Sequence, residues 1–309
     1  MIGSGGLMEQ ANEAERNRAL GILLVAASAI VFGLSGVLTK SITADALTVT
    51  CWRGFVGFLL IGAYVCWRPG RAGKRPDMRL GWRGWLLAVE GAAASIAFIA
   101  AFKFTYVANV AVIYATAPFV TALLAWILIR EPFRLPTMVA ALLSLCGVAV
   151  MVHSGLGTGN LFGDGLALLM TIGSSLYMIM VRGFRDTPVV WAGAVASLLL
   201  FVFGWFVTDP LAISRQDILL LAVFGTSFAV ASVLWTEGSR LIPAPEAALL
   251  GAAEIPAAAL FAWLFLSEIP PYASRAGGAV VLCAVLAHGW HDWSSAQRLA
   301  QLSTGKAVK

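Results

Sequence analysis

Of 309 residues, 60% are hydrophobic and only 12% are charged, with a net charge of +5 and a mean hydropathy of +0.85. So little polar surface cannot cover a water-soluble fold of this length, which excludes a soluble domain and places the chain in a bilayer. The positive balance calls for no nucleic-acid partner, because its strongest cluster, Arg68 to Arg83, stands between apolar runs, where anionic lipid would hold it.

Residues 1 to 15 hold Glu9, Glu13 and Glu15 and no apolar stretch. They predict a mobile tail without a cleavable signal, so the first span stays in the protein. Ten apolar runs follow, each close to the ~20 residues that cross a ~30 Å hydrocarbon core. They lie at 19–38, 46–66, 82–104, 108–129 and 135–153, and then at 163–182, 189–207, 216–236, 245–266 and 272–290. Continuous apolarity without two-residue alternation predicts helices and excludes a barrel.

The second run carries Arg53 near its start. Its depth allows snorkelling, so it reads first as a structural anchor, with contact to a substrate carboxylate as the alternative. In the third run Glu90 lies roughly 12 Å deep at 1.5 Å per residue. Phe98 and Phe102 follow it, and the small residues Ala93, Ala97 and Ala101 would let helices approach closely. The fourth run contains Pro118, which frees backbone carbonyls and bends a helix, with Tyr114, Ala117 and Thr121 on one face beside it. Between the fifth and sixth runs, Gly155, Gly157 and Gly159 follow a helix rather than a strand and predict a turn, not a phosphate cradle.

Tyr177 in the sixth run and Ser227 and Trp235 in the eighth are further cavity candidates; each has packing as its alternative. In the ninth run Glu254 lies roughly 14 Å deep, two residues before Pro256. A carboxylate at such depth demands a partner or a wet cavity. Glu254 and Glu90 therefore either contact a substrate amine, take up a proton, or join helices as hydrogen-bonded acids. Glu246 and Glu237 lie nearer one face and read as solvated or paired with Arg240. His288 and His291 have a ligand-like spacing, but no Cys or acidic cluster completes a metal site. The four cysteines are scattered and imply no disulfide. No Walker motif is present, and no cofactor is implied.

Arg16, Arg18, the Arg68 to Arg83 cluster, Arg130, Arg134, Arg182, Arg185, Arg240, Arg298, Lys306 and Lys309 fall on one side of the ten-span threading. Lys40, Lys103, Arg215 and Arg275 fall on the other. This bias predicts that both termini are cytoplasmic. Most tryptophans fall near predicted helix ends, as an interfacial belt requires.

The run Val107 to Val150 recurs without a gap as Ala244 to Ala287, an offset of 137 residues. Trp126/Trp263, Glu131/Glu268 and Cys146/Cys283 share this register, which apolar composition alone does not produce. Five spans per copy, an odd number, predict that the second copy is inverted, the arrangement alternating access requires. The expected fold is thus an all-α integral membrane protein of ten transmembrane helices, built as two inverted five-helix repeats around a central cavity. Its expected divisions are a tail at 1–15, repeats at 16–155 and 156–294, and a second mobile cytoplasmic tail at 295–309.

The stretch from Tyr114 through Pro118 and Trp126 to Glu131, its echo from Leu250 to Glu268, Arg53, and Phe32-Gly33 resemble the EamA repeat of the drug/metabolite transporter superfamily. The resemblance covers nearly the whole chain. In the second copy Glu254 and Ile255 replace Ala117 and Pro118, with Pro256 one position late. The resemblance implies that the segment before Pro118 faces the central cavity. It also implies a multi-pass exporter of the bacterial inner membrane, with small-molecule substrates such as amino acids, aromatic and large apolar ones included. Nucleosides or amphiphilic drugs are the alternative substrates, and an intramembrane enzyme is the alternative class. The oligomeric state is left unassigned.

Overall fold

The computed structural model describes residues 4–68, 78–130, 135–155, 161–184, 187–242, 247 and 250–306. The helices are α1 (Ser4–Gly33), α2 (Ser35–Ser41), α3 (Ala46–Trp67), α4 (Gly81–Phe104), α5 (Val107–Ala115) and α6 (Ala117–Ile129), followed by α7 (Leu135–Gly155), α8 (Leu161–Gly183), α9 (Val189–Val207), α10 (Arg215–Gly238), α11 (Glu254–Leu266) and α12 (Tyr272–Lys306). Where they are described, the predicted apolar runs lie on helix except at turns at Leu34, Thr116 and Ala252–Ala253. Among the described residues, six stretches are long and apolar enough to cross a membrane: Glu15–Ser41, α3, α4, Leu161–Val181, α9 and α10. A seventh is α5 with α6, bent by 41° where they meet; Leu135–Val150 and α11 are shorter apolar helices. At both ends the helices run into the expected tails, since α1 begins at Ser4 and α12 reaches Lys306.

Local chemistry sets several boundaries. The Asp45 carboxylate accepts the N–H groups of Leu47 (2.8 Å) and Thr48 (3.1 Å) at the start of α3, and the Ser214 hydroxyl accepts the Asp217 N–H at the start of α10. Both satisfy donors that a helix N-terminus otherwise leaves open. Asp217 also accepts the Thr43 N–H at 2.9 Å, which ties the turn before α3 to the start of α10.

The helices pack in four principal pairs, α3 with α9, α7 with α12, α4 with α8 and α1 with α10. Glycines permit the closest approaches. A β-carbon at Gly54 of α3 would lie 2.5 Å from the Ser197 carbonyl oxygen of α9, and one at Gly204 of α9 would lie 2.5 Å from Cys51 of α3. Advancing along α3 from Cys51 to Gly54 thus descends α9 from Gly204 to Ser197, so the two helices are antiparallel. In the same way Gly21 meets Leu241, Ser28 donates to the Ala231 carbonyl at 2.8 Å, and Phe32 meets Phe228, which makes α1 and α10 antiparallel.

The offset of 137 seen in the sequence returns in the backbone. Helices α6 and α11 each have 13 residues, start at Ala117 and Glu254, and end before a left-handed residue, Arg130 or Ser267. Pro118 and Pro256 lie inside the first turn of these helices, where a missing N–H leaves no intrahelical bond unmade. The helix therefore stops ahead of each proline, and the one-residue shift between the prolines leaves both restarts in register.

Large apolar side chains form the outer surface; Trp67, Trp82, Trp85, Trp126, Trp205, Trp263 and Trp290 are all exposed, as a lipid-facing belt requires. Trp52 and Trp235 depart from the expected belt. Trp52 donates to the Pro210 carbonyl at 2.8 Å, and Trp235 packs with Val25, Ile242 and Ala247. In α4, Ala97 and Ala101 are buried, while Ala93 is exposed and brings no helices together.

Candidate functional site

Two interrupted stretches, at α5–α6 and before α11, pack against each other. The α5 helix closes on Thr116, whose hydroxyl donates to the Ile113 carbonyl at 2.7 Å. The Ala117 carbonyl, in the first turn of α6, accepts from Ser175 of α8 at 3.2 Å. Helix α11 starts at Glu254 against the end of α1, where a β-carbon on Gly33 would lie 3.0 Å from that of Ala257. Small residues at both positions let the two backbones close over a shared void.

That void is lined by Phe32, Gly33, Phe98, Phe102, Val110, Ala111, Tyr114, Met170, Glu254, Ile255 and Ala258, and has a volume of about 10 Å³. One carboxylate and one phenol thus face a wall of aromatic and aliphatic carbon, with Phe98 and Phe102 in edge contact at 4.8 Å. The volume is near that of a single water, whereas small-molecule sites typically occupy roughly 300 Å³ or more. A larger groove of about 380 Å³, lined by Val31, Ala222, Val223, Thr226, Ser227 and Val230, opens on the surface between α1 and α10. Its apolar, exposed lining suits lipid chains, and it contains no charged group, so the smaller central void is the better candidate.

Of the residues expected from the sequence, the structure brings Glu254, Tyr114, Phe98 and Phe102 into one cavity. Ala117 and Thr121 are half-buried and do not line it; neither does Pro118, which is exposed, as is Pro256. Ser227 turns away, with its hydroxyl on the Phe224 carbonyl at 2.9 Å. The Trp235 ring instead presses on Gly251, where a β-carbon would lie 2.7 Å from it.

Glu90 and Tyr177 occupy a second place, between α4 and α8. A β-carbon on Gly173 would lie 3.1 Å from Glu90 Oε1, and one on Gly91 would lie 3.3 Å from the Tyr177 ring. Glu90 Oε2 is buried without a hydrogen-bond partner. Phe98 follows Glu90 by eight residues on α4, roughly 12 Å along the axis, so one helix connects both places.

Arg53 overturns its expected role as a snorkelling anchor. It is only 3% exposed, stacks on Phe228 at 4.2 Å and Phe224 at 5.6 Å, and donates to the Ser95 hydroxyl of α4. Its Nε has no partner, and among the described residues no carboxylate pairs with it. Phe228 in turn touches Phe32 of the cavity wall, with ring centroids 6.3 Å apart. The sequence showed a charge in an apolar run; its neighbours, on α4 and α10, come together only in the fold.

Ionic groups gather toward the two ends of α3. Near its start, Lys40 pairs with Glu268 at 3.1 Å, and Glu268 also accepts the Val107 N–H at 3.0 Å. At its other end Glu237 pairs with Arg68 at 2.6 Å and with Arg240 at 3.1 Å, as expected for Arg240. Glu131 and Glu246 lie outside the described residues. Among those described, no group of three His, Cys, Asp or Glu side chains is arranged to hold a metal ion.

A polytopic all-helical membrane protein with broken helices meeting at a central void has the build of a membrane transporter. The profile of the EamA-like transporter family matches residues 19–153 and again 161–288, and the chain belongs to that family. A protein of Archaeoglobus fulgidus named as an uncharacterized transporter is 27% identical over 270 residues, 84% of this chain and 92% of its own. Solute carrier family 35 member G1 of Mus musculus is 23% identical over 293 residues, 86% of this chain and 76% of its own. A solved crystal structure shares the fold with a TM-score of 0.62 at 18% identity, over 88% of this chain and 97% of that one. The chain is a membrane transporter, not an enzyme.

Proposed function

We propose that this chain exports amino acids, aromatic and large apolar ones included, and related small metabolites across a bacterial cytoplasmic membrane by alternating access. Its working form in this reading has ten spans in two inverted repeats, residues 16–155 and 156–294, with both termini cytoplasmic. The antiparallel packing of α3 against α9, the second spans of the two halves, supports the inversion, as does the matched restart at Ala117 and Glu254.

The observation that carries the substrate class is the buried guanidinium of Arg53, which no carboxylate among the described residues pairs with and which stacks on Phe228, the ring that touches Phe32 of the cavity holding Glu254. A buried charge without a counter-ion is costly, and a zwitterion would neutralise both: its carboxylate at Arg53, its ammonium at Glu254. Phe32, Phe98 and Phe102 would then take an apolar or aromatic side chain. The present void is too small for such a molecule, so this conformation is the closed one, and loading requires α11 and α5 to part from α1. The breaks at Thr116 and Ala253 are natural hinges for that motion.

Uptake into proteoliposomes tests the reading. A zwitterionic amino acid should compete better than its matched amine or its matched deaminated acid, since each lacks one of the two charges. Transport competed by nucleosides or amphiphilic cations, and untouched by amino acids, would replace this substrate class with the alternative one.

A further inference from the structure

A second set of buried polar groups lies away from the cavity, where the first turn of α8 meets the joint between α4 and α5. Asp164, Asn109 and Thr105 are 3%, 2% and 4% exposed. Asp164 Oδ1 accepts the Thr105 hydroxyl at 2.7 Å and the Asn109 side-chain N–H at 3.3 Å. Two oxygens are left over: Asp164 Oδ2 and Asn109 Oδ1 are buried without a hydrogen-bond partner. Gly163 presses this turn onto the end of α4, since a β-carbon there would lie 2.7 Å from the Phe104 carbonyl oxygen. Phe104 is the last residue of α4, where carbonyls lack intrahelical donors and the helix dipole is negative.

Every leftover group here is an acceptor, and the set carries a full negative charge. A water could bridge the two oxygens but would leave the charge buried and uncompensated. The charged groups nearest in sequence on the packed elements are engaged elsewhere: Lys103 donates to the Ile42 carbonyl, and Lys40 and Glu268 pair with each other. Tyr106, the remaining titratable group at this joint, lies under the Lys40 ammonium.

We propose that Asp164 and Asn109, with Thr105 holding the carboxylate in place, bind a small monovalent cation, Na+ or a proton, that neutralises Asp164. Broken helices of transporters characteristically offer such ions oxygen ligands and helix C-terminal ends. Asp164 Oδ2 and Asn109 Oδ1 are the oxygens left to ligate Na+. The site does not depend on which substrate the cavity takes.

Thermal unfolding of the purified full-length protein in nanodiscs tests this without a transport assay. Replacing choline chloride by sodium chloride at constant ionic strength should raise Tm by a few degrees through binding to the folded state. The rise should disappear in Asp164→Asn and shrink in Asn109→Leu. If acidification in choline stabilises the wild type relative to these variants, and Na+ does not, the neutralising cation is the proton. No difference between wild type and variants in either arm overturns the site. Should Asp164→Asn fail to fold, a wild-type response in Asn109→Leu is enough to overturn it.

Discussion

Arg130 and Ser267 stand 137 positions apart and share one left-handed backbone conformation, with φ of 54° and 51°. They are the only non-glycine residues with positive φ among those described. Each follows the last turn of a 13-residue half-helix, α6 or α11, and each N–H returns to the carbonyl five positions back, Ala125 or Ala262. Glycine adopts this conformation without the steric penalty an L side chain meets. Ser267→Gly should therefore be neutral or stabilising by up to about 1 kcal/mol, and Ser267→Val should destabilise by about 1 kcal/mol or more. Unfolding in detergent, monitored by helical circular dichroism, checks both; a valine variant as stable as the glycine one would contradict the geometry.

The Lys40–Glu268 pair joins the end of α2, the start of α5 and the segment after α11. Glu268 is 9% exposed, so losing its carboxylate strands both an ammonium and a helix N-terminal N–H. Glu268→Ala should destabilise by about 2 kcal/mol. A cycle with Lys40→Met should show coupling of about 1 kcal/mol, and strictly additive losses would mean the pair is not energetically linked.

Asp45 supplies the stability term with a clear pH sign. Burial raises its pKa, but the Thr48 hydroxyl and the N–H groups of Thr48 and Leu47 outweigh burial and hold it below the usual aspartate range. A depressed folded-state pKa adds stability above the unfolded value, roughly pH 4, and that contribution fades as pH falls through the folded value. Asp45→Ala should destabilise by about 1 kcal/mol near neutral pH, as other lost caps do. The gap from wild type should narrow below about pH 4, and a gap that widened on acidification would reverse the assignment.

Much of this architecture is readable in residue order, because helices in lipid must satisfy their own backbone and long apolar runs have few alternatives. The offset of 137 marked equivalent positions, and Glu254 and Tyr114 fell on the cavity because each lies beside a helix break. Arg53 misled because snorkelling depends on what surrounds the side chain, and Phe228 and Ser95 reach it from helices distant in sequence. Ser227 lines the surface groove rather than the smaller void, and Trp235 packs on Gly251, because helical spacing fixes a face but not the neighbour it meets. Asp164 passed unnoticed at the edge of an apolar run, where an acid normally meets water. Its warning signs were the flanking Gly163 and Gly165 and the nearby amide and hydroxyl of Asn109 and Thr105.

Glu254 is the sharpest test of the cavity. It opens α11 opposite Tyr114, Phe98 and Phe102, so Glu254→Gln keeps the shape and removes only the charge. If the carboxylate meets the substrate amine, transport of zwitterions should fall at least roughly tenfold, the loss expected from one charge-assisted hydrogen bond, with unfolding temperature unchanged. Arg53→Gln should reduce transport of the same substrates and weaken competition by deaminated acids. Wild-type uptake in Glu254→Gln would return the residue to a packing role.

Topology can be read directly, because ten spans with both termini cytoplasmic would set Arg240 and Ser267 in opposite compartments. Cys66, Cys146 and Cys283 are exposed and Cys51 is buried, so all four are first replaced by serine or alanine. Single cysteines at Arg240, or near Arg75 and Arg185 outside the described residues, should then react with an impermeant maleimide only from the cytoplasm. Cysteines at Ser267, or at Gly157 outside the described residues, should react only from the other side. The Lys40–Glu268 pair would in that case close the outer end, and the Arg68–Glu237–Arg240 cluster the inner one. Labelling of Arg240 and Ser267 from the same side would put both clusters in one compartment and remove the inverted arrangement on which alternating access depends.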